Sequence, residues 1–200
     1  MSTPKYNQQW AIDAARHPKT KFLFFWSHKG RADQASPAVF SQWFPAGFSH
    51  RGIRYDTAEH WMMAEKARLF GDTATEAQIL GAKDNPGKAK ALGRQVADFD
   101  GTIWDRESYG IVLRGCILKF RKNTDLGRYL QTTGSKILVE ASPMDPIWGI
   151  GLGKDDPAAS DPSKWQGGNL LGFALMEARD RLRDGDFSDL PELAEDTEPQ

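Results

Sequence analysis

The sequence predicts an α+β fold: a predominantly helical single domain with a small sheet of short strands. Three observations lead there. Only a few short runs have strand character, about six or seven stretches have helical periodicity with recognisable ends, and the two kinds do not alternate in the βαβ rhythm that builds a parallel sheet. With 200 residues, 40% of them hydrophobic, the chain can enclose one real core but not two comfortable ones.

Taken in order, residues 1–20 are a polar N-terminal lead-in, loose or folded as a short helix. The apolar-aromatic run Lys21 to Trp26 (KFLFFW) reads as a buried strand, and Ser27 to Pro37 as a loop. Val39 to Phe44 (VFSQWF), broken by Pro45, and Phe48 to Asp56 (FSHRGIRYD), with Gly52 at a turn, read as two short strands. From Thr57 the pattern turns helical, and Gly71 is a natural stop. Further helices are expected over 73–82, over 86–95 with Pro86 in the first turn, over 103–121 and over 125–132. In the long one, Ile111, Leu113, Ile117, Leu118 and Phe120 supply an apolar face. Lys136 to Ala141 (KILVEA) reads as a strand. Ser142 to Gly168 is too rich in Gly, Pro and Asp for regular structure, and a long irregular loop inside a compact domain often carries function. Asn169 to Gly185 closes the domain, expected over 21–184, as an amphipathic helix.

Charge is unevenly spread. The formal net charge is -1, yet the chain from Asp184 onward has seven acidic residues and no Lys or Arg. The other 20 acidic residues face 26 basic ones, so the body is mildly cationic, which suits an anionic ligand or a solvated surface. The acidic tail over 185–200 has little to bury; it is expected to be disordered, and its deletion to leave stability nearly unchanged. Cys116 is the only cysteine, which precludes an internal disulfide and fits a reducing compartment. Its apolar setting, IVLRGCILKF, makes it a small buried residue rather than a nucleophile. The N-terminus lacks the apolar stretch of a signal peptide and no segment reaches membrane-span length, so a soluble, cytoplasmic protein with no membrane partner is expected.

Candidate chemistry begins in RYDTAEHWMMAEKARLFGD, Arg54 to Asp72. Asp56 and Glu59 have the spacing of a capping box, a complete structural account of Glu59. A carboxylate at a helix start beside loops and aromatics is also a candidate general acid or base. Lys66 falls on the face shared by positions 59, 62 and 63, where it would be a surface lysine or would meet a phosphate or carbonyl. His60 and Glu65, five residues apart, lie about 140° apart on a helix. With no HExxH and no paired cysteines, no metal is expected. WGIGLGKDD is neither GxGxxG nor a P-loop, although its glycines would let backbone approach a ligand and Trp148 would stack on a base. Asp145 adds an acid three residues before that tryptophan. Seven tryptophans are too many to be core filler alone. Trp104, among Asp100, Thr102, Asp105, Arg106 and Glu107, is set for ligand stacking rather than burial.

The ordered set FFW, VFSQWFP, YDTAEHWMMAEKA, ALGRQV, Trp104, SPMDPIWGIGLG and GGNLLGFALMEARDRL closely resembles the NADAR superfamily, in its YbiA-like branch, from about Phe22 to Leu182. The resemblance implies an α+β fold with a pocket for a ribosylated base and hydrolysis of N-glycosidic bonds. Stand-alone members of this kind are associated with early pyrimidine intermediates of riboflavin biosynthesis, releasing ribose 5-phosphate. Other branches act on ADP-ribosylated guanine or belong to ADP-ribose metabolism, and a non-catalytic ADP-ribose or nucleotide binder is a further alternative. Nucleic acid is a partner only under the guanine alternative. Carried over, the family's catalytic set falls on Glu59, Trp104 and Asp145, and Lys66, Arg94 and Asn169 fall on family motif positions as substrate contacts; Trp26 and Trp148 complete the expected substrate contacts, and no cofactor is expected. Gln42 stands where the family usually shows Asn.

Overall fold

The computed structural model describes residues 4–30, 36–188, 190 and 193. Its helices are α1 (Gln8–Ala15), α2 (Ala58–Leu69), α3 (Thr73–Leu80), α4 (Pro86–Gly93), α5 (Gly101–Lys122), α6 (Thr124–Thr132) and α7 (Leu170–Asp184). Its strands are β1 (Phe22–Phe25), β2 (Phe48–His50), β3 (Ile53–Tyr55) and β4 (Ile137–Glu140). They form two two-stranded sheets rather than one: β1 runs parallel to β4, with Phe22 opposite Ile137 and Phe25 opposite Glu140, and β2 pairs antiparallel with β3.

Local chemistry explains most boundaries. Asp72, Asn85 and Asp100 each cap the following helix by accepting backbone N–H bonds, and Pro86 occupies the first turn of α4. Arg51 and Gly52 both have positive φ (48° and 76°), the backbone of the two-residue turn that matches strand twist, so FSHRGIRY folds as a hairpin of two strands. VFSQWF is not a strand. Pro37 opens a 3-10 turn over Pro37–Phe40, and Val39, Phe40 and Phe44 enter the core around a bend instead of alternating across a sheet. In β1 only Phe25 is buried, whereas Ile137, Leu138 and Val139 are all enclosed. The reading of a buried strand therefore fits β4, which lies between β1 and α7, better than it fits β1. From β4 the layers continue through α7 and α5 to α2, which α3 and α4 flank.

The described segments nearest the two ends are tied in. Within 1–20, α1 buries Ala11, and Lys5 and the Tyr6 hydroxyl both bind the Asp180 carboxylate at 2.5 Å. Of the loop expected over 27–37, residues 31–35 lie outside the described residues, as do 189, 191–192 and 194–200 of the tail. The described part of the tail corrects the expectation of disorder there. Phe187 packs against the core, Leu190 and Leu193 are buried, and Arg121 donates to the Leu193 carbonyl at 2.6 Å. Deleting 186–200 is accordingly expected to destabilise the protein. Two buried leucines contribute about 3 kcal/mol or more, a fall of ~6–12 °C in melting temperature for a chain of this size. An unchanged thermal melt would count against this docking.

Candidate active site

A cavity of about 320 Å³ opens where the start of α2, the end of α4, the start of α5, the end of β4 and the loop after it converge. Three carboxyl groups line it, Glu59, Glu140 and Asp145, together with two cations, Lys90 and Arg94. Trp43, Trp104 and Trp148 form aromatic walls, and Met62, Met63 and Leu171 the apolar part. A wider groove of about 500 Å³ lies on the other face of α2, among Arg51, Arg68 and Arg114, but its only carboxylate is Glu65. The acids singled out by sequence all sit on the first face.

Glu59 stands in the first turn of α2, 4% exposed. Thr57, not Asp56, is the cap: its side chain accepts the His60 backbone N–H and lies 2.9 Å from His60 Nδ1. Glu59 is thus one place short of the capping-box position, and that structural account of it falls away. Asp56 instead accepts the Asp84 backbone N–H at 3.2 Å. The Glu59 backbone N–H donates to the Gln42 carbonyl at 3.0 Å, which ties the helix start to the turn carrying Trp43. Burial pushes the Glu59 carboxyl up to about 7; Lys90, the Trp43 hydrogen bond and Arg94 oppose the rise, while Asp145 adds to it.

Asp145 is held by its own loop, Oδ1 accepting the backbone N–H groups of Ile147 (3.0 Å) and Trp148 (2.8 Å). Gly149 and Gly151 of WGIGLG serve backbone approaching other chain segments, whereas Gly153 meets open space. A Cβ at Gly149 would lie 2.9–3.0 Å from Asp145 O, Ser142 Cβ and Glu140 O, so only glycine lets the loop fold back under Asp145. Trp104 is half-buried at the rim, backed by Lys66, whose ammonium lies 4.0 Å from the Phe99 ring centroid and 5.4 Å from that of Trp104.

Several expected substrate contacts stand elsewhere. Lys66 does not line the cavity; its Nζ donates to the Gly93 carbonyl at 2.9 Å, because its helix face packs against α4. Lys90, which sequence reasoning passed over, takes the cavity position beside Arg94. Asn169 is fully buried, its Oδ1 accepting the Glu140 N–H and its Nδ2 donating to the Leu138 carbonyl, both at 3.0 Å. It fastens α7 to β4 and does not face the cavity. Trp26 is 56% exposed and also lies outside the cavity lining. Glu140 was missed because it ends an otherwise apolar strand; a lone acid there was the available signal. Among the described residues no group of His, Cys, Asp and Glu is arranged to hold a metal ion, and no helix is long and apolar enough to cross a membrane.

The model of the NADAR domain matches residues 24–183. The chain belongs to the NADAR family. Among its NADAR relatives, an N-glycosidase of Acanthamoeba polyphaga mimivirus is 44% identical over 165 residues, 80% of this chain and 95% of that protein. An N-glycosidase of Nostoc punctiforme is 31% identical over 144 residues, 72% of this chain and 85% of that one. The NMR structure of the Escherichia coli protein YbiA aligns with a TM-score of 0.65 at 23% identity, covering 88% of this chain and 94% of that chain. The NADAR fold of this protein is thus that of YbiA.

Proposed function

We propose that this chain is an N-glycosidase that hydrolyses the bond between ribose and base in phosphorylated ribosylaminopyrimidines, the early intermediates of riboflavin biosynthesis, and releases ribose 5-phosphate. The observation that carries the reading is the pairing, in one small cavity, of buried Glu59 and loop-held Asp145 with Lys90 and Arg94. Relatives named N-glycosidase support the bond type. Cleaving a ribosyl C–N bond develops oxocarbenium-like positive charge on the sugar, which carboxylates stabilise while one of them activates water. Lys90 and Arg94 are the groups to hold the phosphate, and Trp104 and Trp148 the plates for the base. The cavity volume, at the low end of the ~300–1,000 Å³ range of small-molecule sites, favours a single ribotide over ADP-ribose.

The test is incubation of purified protein with a ribosylaminopyrimidine phosphate and assay of free ribose 5-phosphate, beside ADP-ribosylated guanine. Turnover of the second substrate alone would replace the pyrimidine reading with the guanine one, and turnover of neither would leave a binding module. Trp104 gives a separate expectation. Because it is half-buried at the rim, Trp104→Ala should keep a cooperative melt while weakening substrate engagement by about 1–3 kcal/mol, the scale of base stacking. Trp104→Phe should retain part of the activity. An unfolded Trp104→Ala protein would return this residue to the core.

A further inference from the structure

The cavity holds three carboxyl groups and two cations, and the third carboxyl needs an account. We propose that Glu140 is a further catalytic residue of the hydrolysis put forward above, the proton donor to the departing base. The inference rests on that reading of the site and adds the acid it lacks.

Four observations carry it. Glu140 lines the cavity, and its Oε2 is buried without a hydrogen-bond partner, a costly position for a charged oxygen and a natural one for an O–H with a donor still to give. Its backbone is fixed on both sides: the N–H donates to Asn169 Oδ1 at 3.0 Å, and the C=O accepts from Ser142 and Ile150, each at 2.9 Å. Such a frame holds a side chain within reach of a substrate and resists its withdrawal. Charge balance points the same way, since Lys90 and Arg94 compensate two carboxylates and leave one to be neutral. Asp145 is anchored in its own loop, its Oδ1 accepting two backbone N–H groups, whereas the Glu140 Oε2 has no such partner. The groups facing Glu140 are Glu59 from α2, Lys90 from α4 and Arg94 just after it, Cys116 from α5 and Asp145 from its own loop. Burial, then the charges of Asp145 and Glu59, push its carboxyl up to about 8, against the pull of Lys90.

In the step itself, the C1′–N bond breaks and its electron pair passes to the departing nitrogen, which takes the Glu140 proton. A water oxygen bonds to C1′, and its proton goes to the Glu59 carboxylate. Glu59 returns that proton through solvent and Glu140 is reprotonated, so the sum is one water added across the bond.

The test compares Glu140→Gln with the parent on two ribosylaminopyrimidine phosphates, one plain and one carrying a ring nitro group that lets the departing nitrogen leave with less need of a proton. The expected result is an unchanged or higher melting temperature, kcat on the plain substrate down at least about a hundredfold, and a loss at least about tenfold smaller on the nitro substrate, with KM little altered. Equal losses on both substrates, or a change confined to KM, would make Glu140 a structural or binding group and overturn the proposal. If Glu140→Gln does not fold, the parent decides: its kcat on the plain substrate should fall as pH rises above about 8 while that on the nitro substrate does not, and matching profiles would overturn the proposal. A parent protein inactive on both substrates would instead remove the proposed function and this inference with it.

Discussion

Glu59→Gln is expected to lose at least about a hundredfold in kcat and yet, above neutral pH, to melt at a higher temperature than the parent. The second half follows from burial. Folding carries this carboxyl from its ordinary 4.5 to about 7, so the native state binds the proton more tightly than the unfolded chain does. Stability is therefore lost as pH rises from the unfolded value through the folded one, and the full cost, roughly 3 kcal/mol, is present above about pH 7. Glutamine removes that cost, keeps the shape, and leaves both the Thr57 cap and the Gln42 contact in place, since the latter uses the backbone. Thermal melts at about pH 5 and pH 8, run beside steady-state kinetics, check both halves. A folded Glu59→Gln protein with normal turnover would strip this residue of any role in the chemistry.

Asn169→Asp should have a large, pH-dependent effect on stability. The amide of Asn169 joins α7 to β4 with one donated and one accepted hydrogen bond, both buried. Its own φ of 51° is a left-handed backbone that Asn and Asp tolerate better than most residues, so the substitution adds no new strain there. A protonated aspartic acid reproduces both bonds, whereas an aspartate opposes the Leu138 carbonyl with a second acceptor and buries an unpaired charge. The variant is expected to approach parental stability near pH 4 and to lose about 3 kcal/mol or more at neutral pH. Chemical denaturation across that pH interval measures the difference. A pH-independent melt accompanied by a raised KM would instead make Asn169 the substrate contact that the family resemblance implies.

Helices were legible in the sequence because their ends carry local chemistry. Asp72, Asn85 followed by Pro86, Asp100, Gly71 and Gly185 all act where their side chains or backbone freedom say they should. What local chemistry does not encode is which face of an element meets which neighbour. Lys66 shares a helical face with Glu59, but that face turns from the cavity to α4 within two turns, and the lysine is captured by Gly93. The cation position passes to Lys90, immediately ahead of the ALGRQV stretch and outside it. VFSQWF looked extended because its residues are apolar, whereas the Pro37 turn lets them bury without a partner strand. The tail was judged on its acidic residues, and Phe187, Leu190 and Leu193, three apart along the chain, were overlooked. Glu59 and Asp145 were found together because each sits where a helix or a loop begins. Glu140 was not, because a strand end next to buried Val139 gives no sign of which way its last side chain turns.

The pairing of β1 with β4 joins segments far apart in the sequence, with five of the seven described helices between them. A chain growing from its N-terminus thus carries Glu59 and Trp104 well before it carries Glu140 or Asp145, and β1 waits with both edges open until β4 has been made. Partial products of synthesis that stop before β4 hold one of the three carboxyl groups and none of the frame that Asn169 supplies. The cavity therefore cannot form before β4 and the loop after it have been made and have closed a long stretch of chain against β1, a slow kind of closure.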